Sequence, residues 1–114
     1  NLYRVKAIAT HLSHSYLLGS NLTEASLVGC DLRWSNLSYA NCQGVDLQRA
    51  KLRGANLTRA NLTRANLSGA DFRGTNLSHA NLSHANLTGA AIEDTIFDKA
   101  ILTSAIMPDG TKHY

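Results

Sequence analysis

Ala55-Asn56-Leu57-Thr58-Arg59-Ala60-Asn61-Leu62-Thr63-Arg64-Ala65-Asn66-Leu67-Ser68-Gly69 is a five-residue phrase written three times. It extends in both directions without a slip in phase. A large apolar residue recurs at every fifth position through Leu12, Leu17, Leu22, Leu27, Leu32, Leu37, Cys42, Leu47 and Leu52. The series resumes at Phe72, Leu77, Leu82, Leu87, Ile92, Phe97, Leu102 and Met107. Two residues before each centre stands a small one, such as Ala50, Ala70, Thr75 or Ala80. The residue just before the centre is Asn or Asp through most of the chain, and the two that follow are polar or Gly.

A period of five fits neither standard element. Residues five apart on a helix differ by roughly 140° around its axis, so the leucines would spiral and leave no polar face. A strand alternates at two. A solenoid resolves the conflict: each unit forms one short side of a coil, with the centre and the residue two before it pointing inward. Asn, Asp, Ser and Gly then serve the turn between sides. One coil cannot bury its own leucines, so stacking must supply the core.

The spacing resembles the pentapeptide-repeat family, whose consensus is Ala-(Asp/Asn)-Leu-X-X, and residues 55–89 match it unit by unit. The resemblance implies an all-β solenoid, a right-handed quadrilateral β-helix of about five coils, with four units per coil and about 4.8 Å between coils. The repeat is expected over 12–107. Residues 1–11 place Leu2, Val5, Ile8 and Leu12 near helical spacing and are expected to form a short helical or irregular N-terminal cap. The competing reading puts Val5 and Ala7 in an irregular unit already in phase. Residues 108–114, opening with Pro108-Asp109-Gly110, form a turn and tail. That tail is similar to those of bacterial, notably cyanobacterial, family members.

Composition removes several classes. The chain has 114 residues and a net charge of +3, with 6% aromatics, eight Gly, one Pro and two Cys. These values exclude collagen and disulfide scaffolds. No apolar run is long enough to span a bilayer. The missing initiator Met implies trimming at the N-terminus. A reduced cytoplasm is the expected compartment, with the periplasm or thylakoid lumen left open. Cys30 and Cys42 fall at inward positions on opposite sides of one coil, too far apart to pair. Eight Asn-x-Ser/Thr triplets, from Asn21 to Asn86, arise from the repeat itself.

No catalytic motif is present, and a solid Leu/Ala interior leaves no concave pocket, so neither an enzyme nor a cofactor is expected. The pairs His11/His14 and His79/His84 have no converging third ligand, so no metal is expected. Function must therefore sit on the outer surface, where residues 20 apart stack in columns. One column reads Arg33, Arg53, Arg73, Glu93, and beside it runs Asp31, Lys51, Asp71, Ala91. This is a mixed charge ladder. Arg59, Arg64, His79 and His84 form a two-by-two cationic cluster at adjacent corners, and Trp34 and Tyr39 lie at one end of these faces. Together they form the candidate surface for an anionic partner. The charge is uneven: residues 1–90 carry nine Lys/Arg against four Asp/Glu, a net of +5, and residues 91–110 carry one against four, a net of −3.

At the C-terminal coil the outward Asn/Asp position becomes Ile96, Ile101 and Ile106 on three successive faces. An apolar belt beside an unpaired strand edge must be covered. Either the tail folds back, with Tyr114 covering one Ile, or two C-terminal ends meet in a homodimer. Seven residues cover only one or two sides of a square coil, which favours the dimer. The expected function is a non-catalytic module presenting a rigid four-sided surface to a protein partner. The alternative implied by the resemblance is a DNA-mimicking, gyrase-binding protein of the fluoroquinolone-resistance type. That mimicry needs an acidic surface, and the middle coils here are basic. A weak polyanion binder remains as a further alternative, with nucleic acid not the expected partner.

Overall fold

The computed structural model describes residues 1–113. Each unit is closed by a tight turn in which the amide of the next small residue donates to the carbonyl of the central one. Ala60 N donates to Leu57 O and Ala65 N to Leu62 O, both at 3.0 Å. The third residue of every such turn has a positive φ, as in type II turns, including Arg59 (59°), Arg64 (59°) and Gly54 (71°). Asn or Asp braces the turn from outside. The Oδ1 of Asn61 accepts the Thr63 amide at 3.0 Å and the Thr63 hydroxyl at 2.6 Å. All eight Asn-x-Ser/Thr triplets use the amide contact, so the triplet is a turn device of the repeat.

Four such sides make one coil, and the coils stack in register as a right-handed quadrilateral β-helix. Parallel pairing joins residues 20 apart, from Lys6 with Ser26 to Asn86 with Ile106. Each unit of the inner coils donates three hydrogen bonds to neighbouring coils, for example Asn61 N to Ala40 O at 2.9 Å, Leu62 N to Asn81 O at 2.7 Å and Arg64 N to Ser83 O at 2.9 Å. Backbone polar groups on the sides are thereby satisfied as the leucines stack inward. Every central residue from Leu22 to Leu87 is buried, together with Ala25, Cys30, Ala40 and the other small inward residues. Cys30 and Cys42 are buried free thiols. The body measures 32 × 22 × 21 Å.

The N-terminus corrects the expected cap. Residues 1–11 do not form a helix; they wind in phase with the rest. Leu2 N donates to Asn21 O at 2.8 Å, Ala7 N to Ser26 O at 2.9 Å, and Lys6 and His11 pair with Ser26 and Asp31. The unit is irregular only in composition, with Ala7 at a leucine position and Ile8 outward and exposed. An isolated helix of about this length is marginal in water. Joining the stack gives the same backbone a hydrogen-bonded partner and buries Leu2 and Val5 against the core.

The C-terminal expectation is met on one side only. The tail turns at Pro108–Gly110, where Gly110 N donates to Met107 O at 2.8 Å, and then runs back antiparallel so that Ile106 pairs with Lys112. Ile106 is half-buried, and Ile96 and Ile101 stay exposed. The belt therefore occupies two sides rather than three. Tyr114, expected to cover one Ile, lies outside the described residues.

Candidate interaction surface

The arginine column forms as the register requires; its short ion pairs lie within single rungs, and Lys51 and Arg53 act on Asp31 and Asp71 of the flanking coils at longer range. Arg33 grips Asp31 with two bonds, Nε to Oδ1 at 2.9 Å and Nη2 to Oδ2 at 2.7 Å. Arg73 grips Asp71 in the same way, at 2.8 and 2.7 Å. The geometry follows from sequence: the residues before and after an inward centre both point outward on the same side. The guanidinium groups hold both Asp carboxyls below the usual carboxylate range, with partial burial opposing that shift.

The middle rung breaks the pattern. Lys51 stands where Asp31 and Asp71 stand in the neighbouring coils, so Arg53 has no carboxylate on its own rung. Among the described residues neither Lys51 nor Arg53 makes an ion pair. Two neutralised rungs thus flank one that is doubly positive.

Around the adjacent corner run Trp34, Gly54, Gly74 and Asp94, again 20 residues apart. Trp34 is 57% exposed, and its ring lies over Gly54. A Cβ at Gly54 would overlap Cε3 and Cζ3 of the ring. At Gly74 nothing closer than 3.9 Å would meet a Cβ, so that corner is open. The two bare corners leave a shallow groove of 180 Å³. Trp34 closes one end, Arg53 and Arg73 form one wall, and Glu93 with Asp94 close the other end. This corrects the expectation that the fold offers no concave site. The interior is solid as expected, and the concavity arises outside it, where side chains are missing from one column. The signal was in the sequence: Trp34, Gly54 and Gly74 are 20 apart, and glycine there removes a wall as well as easing a turn.

The other expected site residues are placed differently. Arg59, Arg64, His79 and His84 occupy two adjacent corners in consecutive coils, exposed, all with φ near 60°. No hydrogen bond or ion pair joins them to one another or to a carboxylate among the described residues. Tyr39, 62% exposed, heads the Arg59–His79 corner and does not line the groove. Glu24, at the head of the Arg64–His84 corner, is taken by Arg4 of the preceding coil at 2.8 Å. The described residues hold no group of three or more His, Cys, Asp or Glu arranged for a metal ion. No helix is long and apolar enough to cross a membrane.

The family model for pentapeptide repeats matches eight copies over residues 1–38, 40–78 and 65–103. The chain belongs to the pentapeptide repeat family. The first match begins at residue 1, in agreement with the winding of the N-terminal units. Among solved structures, the pentapeptide repeat protein Rfr23 of the cyanobacterium Cyanothece 51142 shares the fold at 24% identity and a TM-score of 0.79, over 96% of this chain and 91% of that one. HetL of Nostoc, involved in heterocyst differentiation regulation, is 34% identical with a TM-score of 0.54, over 97% of this chain and 63% of that one. AT2G44920, from the Arabidopsis thaliana thylakoid lumen, is 33% identical with a TM-score of 0.60, over 92% and 70%. No curated protein matches the chain.

Proposed function

We propose that this pentapeptide repeat protein is a non-catalytic interaction module that offers the Arg33–Arg53–Arg73 side and the Trp34 corner to an acidic region of a protein partner. The observation that carries this reading is the doubly positive Lys51/Arg53 rung, which has no carboxylate of its own, beside an exposed Trp34. Trp and Arg are the residue types that dominate binding energy when an interface covers them. Repeated hydrogen bonding between coils keeps the surface rigid, so binding loses little ordering entropy. The role of HetL in regulation is of a kind such a module would fill.

The gyrase-binding alternative fares worse. A phosphate-mimicking surface needs rows of carboxylates, and two of the acidic groups in the middle coils, Asp31 and Asp71, are neutralised by arginine. General polyanion binding would draw on Arg59, Arg64, His79 and His84, and would be salt-sensitive and sequence-independent. The test is affinity capture on the immobilised rod, followed by titration of the captured protein with purified wild-type rod and with a Lys51→Ala/Arg53→Ala variant. Saturable binding that weakens in the variant is expected. If no protein is retained saturably at physiological salt, the rod is not an interaction module.

A further inference from the structure

The groove has an order of chemistry along it, and that order specifies a ligand. The Trp34 ring lies against Gly54, so the aromatic platform is level with Arg53. Of the two arginines on the groove wall, Arg73 is held by Asp71, whereas Arg53 has no carboxylate on its own rung and acts on Asp71 only from the neighbouring coil. Two coils further on, Glu93 and Asp94 close the groove with negative charge. At the spacing of paired strands, two coils cover about 10 Å, which an extended peptide spans in about three residues. The floor between them is bare because Gly74 has no side chain. The carbonyls of Gly54 and Gly74 accept no hydrogen bond among the described residues, leaving acceptors for a main chain laid along the corner.

From this juxtaposition we infer that the Trp34 groove binds an extended segment of a protein partner in which an aromatic residue adjoins an acidic one, with a basic residue about three positions beyond the acid. The aromatic side chain stacks on Trp34, the carboxylate meets Arg53, and the basic group meets Glu93 and Asp94. The inference rests on the interaction-module reading and deepens it by naming the ligand. Reversing the charge order places like charges together at both ends of the groove, which sets a preference for one order over the other.

The test uses two capped synthetic peptides, Phe-Glu-Gly-Gly-Lys and Phe-Lys-Gly-Gly-Glu. Trp34 is the single tryptophan of the chain and neither peptide contains one, so its emission reports groove occupancy directly. The first peptide should shift Trp34 emission saturably and bind about tenfold more tightly than the second, as expected for two exposed charge pairs made rather than reversed. Arg53→Ala should weaken the first peptide and narrow the preference. Gly74→Gln, which fills the groove at a φ that Trp34 and Asp94 of the same column already adopt with side chains, should abolish binding with the thermal midpoint lowered by only a few degrees. Equal binding of the two peptides, or no emission change with either, overturns the inference. So does a protein partner captured equally well by wild-type and Gly74→Gln rods, an outcome that leaves the interaction-module reading standing.

Discussion

Leu62 and Leu102 occupy the same inward column two coils apart, and comparing their truncation tests the stacked-core account. Leu62 is 0% exposed, between Cys42 in the preceding coil and Leu82 in the next. Leu102 is only partly buried, because no further coil covers it. Leu62→Ala removes a fully buried isobutyl group from a stack fixed by backbone hydrogen bonds on every side, so collapse around the gap is limited. A cost of about 3 kcal/mol is expected, within the range for buried Leu→Ala changes. For a chain of this size that corresponds to a fall in melting temperature of about 12 °C. Leu102→Ala opens a gap that solvent fills and should cost about 1 kcal/mol, or about 4 °C. Far-UV circular dichroism melts on the two variants and wild type provide the measurement. Equal shifts would mean that the core does not depend on stacking, and the inward assignment of the fifth residue would then have to be abandoned.

Gly54→Ala should displace the Trp34 ring, since its Cβ would overlap Cε3 and Cζ3. A change in Trp34 emission with a melting shift of only a few degrees is expected, because Ala9 already sits at such a corner with φ 56°; an unaltered spectrum refutes the ring placement. Asp31 is held low by Arg33, so its contribution to stability is complete above the unfolded carboxylate pKa and disappears as pH falls through the lower folded value. Acid melts between about pH 5 and 2 should therefore show a shallower loss for Asp31→Asn than for wild type, and parallel curves would contradict the pairing. Burial pushes the Cys42 thiol up to about 12 and raises that of Cys30, so neither should react with a thiol reagent at neutral pH until the rod unfolds. Fast labelling of the native protein would place one of them at the surface. Light scattering should show concentration-dependent association through exposed Ile96 and Ile101, absent in an Ile96→Asp/Ile101→Asp variant; monomers in both cases would mean that the two isoleucines are not an interface.

Much of this architecture was legible because a period of five leaves a single workable geometry. Leu62 and Ala60 read as inward from spacing alone and are so placed, whereas Asn61, expected in the turn itself, stands at the pairing position before it and braces it through its side chain. The N-terminus misled because two periods overlap there. Leu2, Val5 and Leu12 satisfy the coil as well as a helix, and Ala7 in a leucine position hid the fifth-residue rhythm. Ile8 was the discriminating residue: a helix would bury it with Leu12, whereas it stands 61% exposed. The charge ladder was visible as columns, but its pairing was not. Columns suggest attraction between coils, whereas the short side of a unit brings Asp31 and Arg33 together first. The groove escaped notice because reading columns for the side chains they carry gives no weight to positions that carry none.

The corners show why those absent side chains matter. Fourteen residues other than glycine hold φ between 55° and 64° at turn corners, among them Trp34, Tyr39 and Arg64. A left-handed residue with a side chain costs about 1–2 kcal/mol, so winding and stacking impose the corner conformation whatever residue occupies it. Glycine relieves that cost wherever it falls but is required for backbone reasons at none of the positions where a neighbouring coil carries Arg, His or Glu. Gly54 has an additional reason, since the Trp34 ring occupies the space of its side chain. The adjacent corner supplies a comparison, with Arg49 preceding Gly69 and Gly89. There the Arg49 Cγ leans to 3.3 Å from a Cβ built on Gly69, with neither an aromatic platform nor an acidic pair in the same column. Two bare corners alone therefore do not define a site. What sets the other corner apart is the sequence of groups around the bare stretch: an aromatic face, a cationic rung without its carboxylate, and an acidic end, held at fixed spacing by a backbone that repeats every coil. A ligand matched to that spacing would read side chains the repeat does not require, and this is where a scaffold of nearly identical units gains specificity.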